Sequence, residues 1–195
     1  MYTREQFTAK YSPFIAKAVK GTGLLAGTVL AQAIIESQGN VGGTNYVGAS
    51  KLSQNSNNYF GIKCHNWKGK TYNISTGEYK PSGEYFVDKN ACFRSYNNVE
   101  DSIKDYVKFL KENPRYEAAG VFKAKTVREQ AEALKKAGYA TALNYPATIE
   151  SVYNGIKNSI IEATEFQKKI VTKYWWVIGL GIVGTVGLVY AVTRK

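Results

Sequence analysis

From Leu24 to Ile35 the chain carries no charged side chain, and the run closes in LAQAIIES with a single carboxylate, Glu36. Leu25, Val29, Ala33 and Glu36 recur at helical spacing along one side. A helix that is apolar nearly all round has to be buried on most of its circumference. The segment therefore predicts a central helix over Leu24–Ser37, with other elements packed around it. A carboxylate on such a helix loses hydration, which raises its pKa unless a partner compensates. That is the environment a general acid needs. The alternative is a helix-end glutamate that emerges into solvent before the turn at Gly39.

The flanking segments suggest what does the packing. Phe7, Tyr11, Phe14, Ile15 and Ala18 predict a first helix, ended by Gly21 and Gly23. Residues 38–58 are rich in Gly, Asn and Ser and read as a loop, with a short helix over 49–54. From Asn58 to Tyr96 the pattern changes to short runs (YFGIKC, KTYNIST, EYFVD, ACFRSY) separated by KG, TG and PSG turns. This predicts a small antiparallel sheet or a pair of hairpins. Helical spacing returns at Val99, Ile103, Tyr106, Val107 and Leu110, with Asn98 as N-cap. Thr126 and Glu129 form a capping box for the next helix, which Gly138 closes. Thr148 is placed to cap a last helix carrying Ile149, Val152, Tyr153, Ile156 and Ile160.

The 195 residues suffice for one domain and an appendage. The net charge of +11 is spread along the chain, which suits a polyanionic surface. No nucleic-acid motif accompanies it. Cys64 and Cys92 are placed either to form a disulfide or to remain as two buried thiols. With one histidine, His65, they do not make a zinc site, and neither a metal nor a cofactor is expected. The first residues have charges at Arg4, Glu5 and Lys10 and do not read as a secretory signal. Trp175 to Val192 is an 18-residue run without a charge, flanked by Lys168, Lys169 and Lys173 and by Arg194 and Lys195. As a helix it would span roughly 27 Å, close to a bilayer core. Its Trp and Tyr ends and its glycines match a membrane span. No Pro or Gly falls between Lys157 and Ile178, so the last helix is expected to run into the span as one rod.

LAQAIIES, NNYFGIKC, the STGEY turn, CFRSYNNVEDSIKDYVKFL, NPRYEAA and AGYAT follow one another in the order seen in the glucosaminidase group of peptidoglycan hydrolases, glycoside hydrolase family 73. The resemblance covers about residues 5 to 160. It implies an α+β, lysozyme-like fold, with a mainly helical lobe and a small antiparallel β-lobe bordering a groove. The expected organisation is a catalytic domain over 1–165, a short linker over 166–174, a transmembrane anchor over 175–192 and a basic tail over 193–195. The resemblance also implies cleavage of the β-1,4 bond between N-acetylglucosamine and N-acetylmuramic acid, with peptidoglycan glycan strands as partner.

Carried over residue by residue, Glu36 matches the general acid, Glu78 the second carboxylate on the β-lobe, and Tyr139 a tyrosine lining the cleavage site. Asn57, Asn58 and Phe60 match a groove-lining stretch. Glu84 is the other carboxylate on a comparable turn. Tyr59, Trp67, Tyr79 and Tyr145 offer flat rings with polar tips to sugar faces, although aromatics of this kind also pack small sheets. Two departures stand out. Ser37 leads into QGN where the family has Ser-Gly-Trp-Gly, so the aromatic wall would come from Tyr46 or be missing. Ala142 stands where the family favours Asp. The absent signal and the terminal run together point to the membrane of a membrane-containing bacterial virus. The alternatives are a cellular or phage lysin or autolysin anchored in a bacterial membrane, and a non-catalytic membrane protein that uses the same fold to bind peptidoglycan.

Overall fold

The computed structural model describes residues 1–79 and 84–173. The elements are α1 (Arg4–Val19), α2 (Ala26–Ser37), β1 (Gly39–Val41), β2 (Thr44–Tyr46), α3 (Lys51–Ser56), β3 (Thr71–Tyr79), β4 (Tyr85–Arg94), α4 (Val99–Glu112), α5 (Pro114–Ala118), a 3-10 turn (Val121–Lys123), α6 (Val127–Lys136) and α7 (Tyr145–Lys173).

α2 is the buried centre of the helical lobe, packed by α1, α6 and α7. Val29, Ala31, Ala33 and Ile34 have no accessible surface. Burying a Val or Ile side chain fully contributes about 1.5–3 kcal/mol, so this one helix supplies a large share of the core. Gly27 sets the closeness of α2 to α7: a Cβ there would lie 2.5 Å from the Tyr153 ring. The other helices begin where side-chain caps hold them. Asn98 accepts from the Asp101 amide at 2.8 Å, and Thr126 and Glu129 form the expected capping box. α1 starts at Arg4, behind a capping box of Thr3 and Gln6, earlier than its apolar spacing indicated. α7 also starts early, at Tyr145, with the Thr148 hydroxyl bonded back to the Asn144 carbonyl rather than capping. Pro146 sits in its first turn, where its missing N–H leaves no helical bond unmade.

The strands differ from the expected set. Residues 39–46 form a hairpin, β1–β2, around Gly42 and Gly43, whose φ values of 59° and 85° suit a two-residue turn. Its side chains are mostly exposed, so no apolar alternation marked it. YFGIKC is not a strand: Asn57 (φ 51°) and Gly61 (φ 64°) turn the chain, and only Lys63 bridges to Phe93. EYFVD and ACFRSY join into the single strand β4, antiparallel to β3, with a register irregularity between Ile74 and Thr76. Cys64 and Cys92 are disulfide-bonded, with Cα atoms 5.4 Å apart, beside a Cys64 N–H bond to the Cys92 carbonyl.

Among the described residues no helix is long and apolar enough to cross a membrane. The 175–192 run lies outside them. α7 continues without a break through the expected 165/166 boundary to Lys173.

Candidate active site

Glu36 occupies the last turn of α2, half-buried. Burial pushes its carboxyl up to about 7. The negative end of the helix dipole acts in the same direction. Ser37 fixes the backbone at this point. Its hydroxyl donates to the Ala33 carbonyl at 2.6 Å and accepts from the Gly48 amide at 3.1 Å. Its carbonyl accepts from the Ser50 amide at 3.0 Å and the Ser53 hydroxyl at 3.2 Å. The Glu36 carboxyl is thus held on a helix end that three later residues tie down.

Across from it stands the turn 58–61. An ideal Cβ on Gly61 would lie 4.0 Å from Glu36 Oε2, so bare backbone borders the carboxyl. Asn58 builds this turn. Its Nδ2 donates to the carbonyls of Ile62 and Arg94, both at 2.9 Å, and its Oδ1 accepts from the amides of Phe60 and Ile62. The Phe60 ring stacks on Tyr106 at 4.1 Å, and its carbonyl accepts from the Tyr139 hydroxyl at 2.8 Å.

The groove-lining expectation for this segment needs correction. Asn58, Tyr59 and Phe60 are 0%, 4% and 2% exposed, which removes their side chains from contact with a sugar. Tyr59 stacks on Phe7 in the core, with its ring 5.6 Å away. The segment shapes the wall beside Glu36 from behind. Trp67 is engaged in packing too. Its indole N–H donates to the Lys70 carbonyl at 2.9 Å, and its ring lies 4.8 Å from the Arg94 guanidinium. Arg94 also faces Phe109 at 5.4 Å and pairs with Asp105 at 2.8 Å, so Trp67 caps a structural ion pair.

Tyr139 is launched from the end of α6. Gly138 (φ 77°) donates to the Lys135 carbonyl and Tyr139 N–H to the Leu134 carbonyl, the paired bonds of a Schellman cap. The Tyr139 ring then meets Tyr106 from α4 at 5.9 Å, Tyr116 from α5 at 6.4 Å and Tyr145 from α7 at 6.3 Å. Burial raises the hydroxyls of Tyr106, Tyr139 and Tyr145 above the ordinary tyrosine value, and the Glu36 carboxylate adds to it. They stay neutral wherever Glu36 titrates. Gln32, one turn before Glu36 and fully buried, links Tyr106 to Tyr145. Gln32 and Tyr116 were not singled out from the sequence, and Tyr106 entered only as part of the apolar stripe of α4. The available signal was one amide at i−4 from the acid in an otherwise apolar helix.

Glu78 falls in β3, in register with Phe86, and its side chain lies outside the described residues. Glu84 is exposed just before β4. Tyr46 is half-buried at the end of β2, opposite Gly39.

A helix-end glutamate that keeps its proton near neutral pH, beside a small β-hairpin lobe on a helical core, defines a lysozyme-like glycoside hydrolase. The profile of the Glucosaminidase family, described as mannosyl-glycoprotein endo-beta-N-acetylglucosaminidase, matches residues 12–158, and the chain belongs to that family. It is 33% identical over 155 residues to the peptidoglycan hydrolase FlgJ of Vibrio parahaemolyticus, which covers 79% of this chain and 48% of that protein. The chain thus spans about half the length of this relative. Among solved structures, a mutant peptidoglycan hydrolase from Sphingomonas sp. A1 aligns with a TM-score of 0.64 at 30% identity, covering 81% of this chain and 99% of that one. A C-terminally truncated glycoside hydrolase domain from Salmonella typhimurium FlgJ aligns with a TM-score of 0.57 at 34% identity, covering 80% and 98%.

Proposed function

We propose that the chain hydrolyses peptidoglycan, cutting the β-1,4 bond between N-acetylglucosamine and N-acetylmuramic acid. The observation that carries this is the Glu36 carboxyl, raised to about 7 on the end of a buried helix in a glucosaminidase domain. Glu36 protonates the glycosidic oxygen as the bond from the N-acetylglucosamine C1 breaks, and the bonding electron pair leaves with that oxygen. Glu78, on the β-lobe, activates the attacking water or stabilises the positive charge that develops on the sugar. Tyr139 borders the cleavage site. The test is digestion of purified peptidoglycan by the full chain in detergent. New N-acetylglucosamine reducing ends support the assignment, whereas N-acetylmuramic acid or anhydro ends mean that another bond is cut.

The same reading includes anchorage in a bilayer by residues 175–192, with a viral membrane as its site. The uncharged run with its Trp and Lys flanks supports it, as does the unbroken course of α7 to Lys173. Detergent partition of the full chain, followed by its localisation in purified virions, tests the two parts separately. Recovery in the bacterial membrane fraction alone would favour a cellular or phage lysin.

A further inference from the structure

Gln32 is completely buried, one turn before Glu36 on the same helix. Its Oε1 accepts the hydrogen of the Tyr106 hydroxyl, and its Nε2 donates to the Tyr145 hydroxyl oxygen at 2.7 Å. The two ends of the amide are therefore committed in opposite senses. Tyr106 gives its only hydroxyl hydrogen to Gln32, whereas Tyr145 receives one and keeps its own. No other hydrogen bond to the Tyr145 hydroxyl is present among the described residues. Tyr139, the other tyrosine beside the acid, has already given its hydrogen to the Phe60 carbonyl. Of the two, Tyr145 alone has a hydrogen left to offer, on a ring 6.3 Å from that of Tyr139 and 5% exposed.

Glu36 shows the complementary need. No described side chain hydrogen-bonds its carboxyl, which suits the protonated acid. Once the proton has gone to the glycosidic oxygen, a carboxylate remains half-buried without a described side-chain donor, and a donor that engages it only then favours the transition state over the resting state. We propose that Tyr145, oriented by the Tyr106–Gln32 relay, donates its hydroxyl hydrogen to the Glu36 carboxylate as that charge forms, directly or through one water. Tyr145 keeps its proton throughout: the hydrogen is shared, no bond to it breaks, and Gln32 stays a neutral amide. Tyr145 is thus a positioning residue for the acid, and this role rests on Glu36 being the proton donor.

The relay has a signature that packing alone does not produce. A hydrogen bond to the charged form lowers the pKa of a carboxyl, so its removal raises it further. Among the described residues, the titratable groups that face Glu36 are Tyr106 from α4, Tyr139 from the turn after α6 and Tyr145 from α7, all held neutral, so the basic limb of the activity profile reports the acid, Glu36. The experiment is the pH dependence of kcat and KM for the full chain on soluble peptidoglycan fragments. Tyr145→Phe is expected to lower kcat about tenfold with KM unchanged and to move the basic limb upward by about half to one pH unit, a one-unit shift being tenfold in proton affinity. Tyr106→Phe, which touches only the far end of the relay, is expected to shift it in the same direction by less, and stands in if Tyr145→Phe does not fold. A basic limb unchanged or moved downward in the folded variants overturns the proposal. Glu36→Gln separates the two readings: activity retained there removes the acid itself, whereas its loss with an unmoved Tyr145→Phe limb removes only the relay.

Discussion

The Tyr139 hydroxyl donates to the Phe60 carbonyl at 2.8 Å, joining positions 79 residues apart in sequence. That bond ties the cap of α6 to the turn whose next residue, Gly61, borders Glu36. It also determines what Tyr139 can do in the cleft, since its hydroxyl is left with lone pairs to offer. Tyr139→Phe is expected to lower stability by about 1 kcal/mol, the usual worth of one such bond. Activity is expected to fall at least tenfold, because the wall beside the acid loses its fixed position. Thermal melts and initial rates on the same preparations check both.

The raised carboxyl of Glu36 makes two pH-dependent statements. As an acid it works only while protonated, so kcat/KM falls as pH rises through about 7. Stability moves in the same sense. Between the ordinary 4.5 and the folded 7, the folded state holds a proton that the unfolded chain has lost. Stability therefore declines as pH rises through that window and stays lower above it. Glu36→Gln is expected to be inactive but more stable than the parent by roughly 2–3 kcal/mol at pH 8, with no gain at pH 4. Denaturant titrations at the two pH values measure it.

The disulfide between Cys64 and Cys92 closes 28 residues of chain that include β3 and most of β4. Loop closure of that length stabilises by roughly 3–4 kcal/mol. Reduction, or the pair Cys64→Ser with Cys92→Ser, is expected to lower the melting temperature by several degrees at least. A melt with and without reductant, after mass measurement confirms the bond, is sufficient.

Gly61 combines a positive φ of 64° with a place beside Glu36 Oε2. Gly61→Ala is expected to cost about 1–2 kcal/mol from the left-handed backbone alone. The added methyl group stands at the carboxyl, where substrate would approach, so kcat/KM is expected to fall more than the melting temperature suggests. Gly21, also at positive φ (74°) but with nothing within 4 Å, provides the control for strain without the site.

The helical half of the fold was legible because its signals are local. The apolar run of α2, the spacing of α4, and the caps at Asn98 and Thr126 each lie within a few residues of what they specify. The resemblance to the glucosaminidases implied a shared cleavage site for Glu36 and Tyr139; in the structure the Tyr139 hydroxyl bonds to Phe60, next to the Gly61 that borders Glu36. What stayed hidden depends on distant partners. Asn58, Tyr59 and Phe60 match a groove-lining pattern, yet their side chains turn inward because Ile62, Arg94, Phe7 and Tyr106 receive them. Trp67 belongs to Arg94 for the same reason. The β1–β2 hairpin escaped because exposed strands need no apolar alternation, and only the Gly42–Gly43 pair announced it. The tyrosine cluster needs four elements to converge, which no spacing along the chain encodes.

α7 begins at Tyr145, beside the acid, and ends its described course at Lys173. At 1.5 Å per residue those 28 steps measure about 42 Å of continuous helix. The residue that completes the tyrosine cluster and the residue that leads toward the uncharged C-terminal run are therefore two ends of one lever. Between those ends α7 runs unbroken, with Gly155 inside it, and packs on α1, α2 and α6, so the strut that leads toward the C-terminal run is braced by the same helices that hold the site.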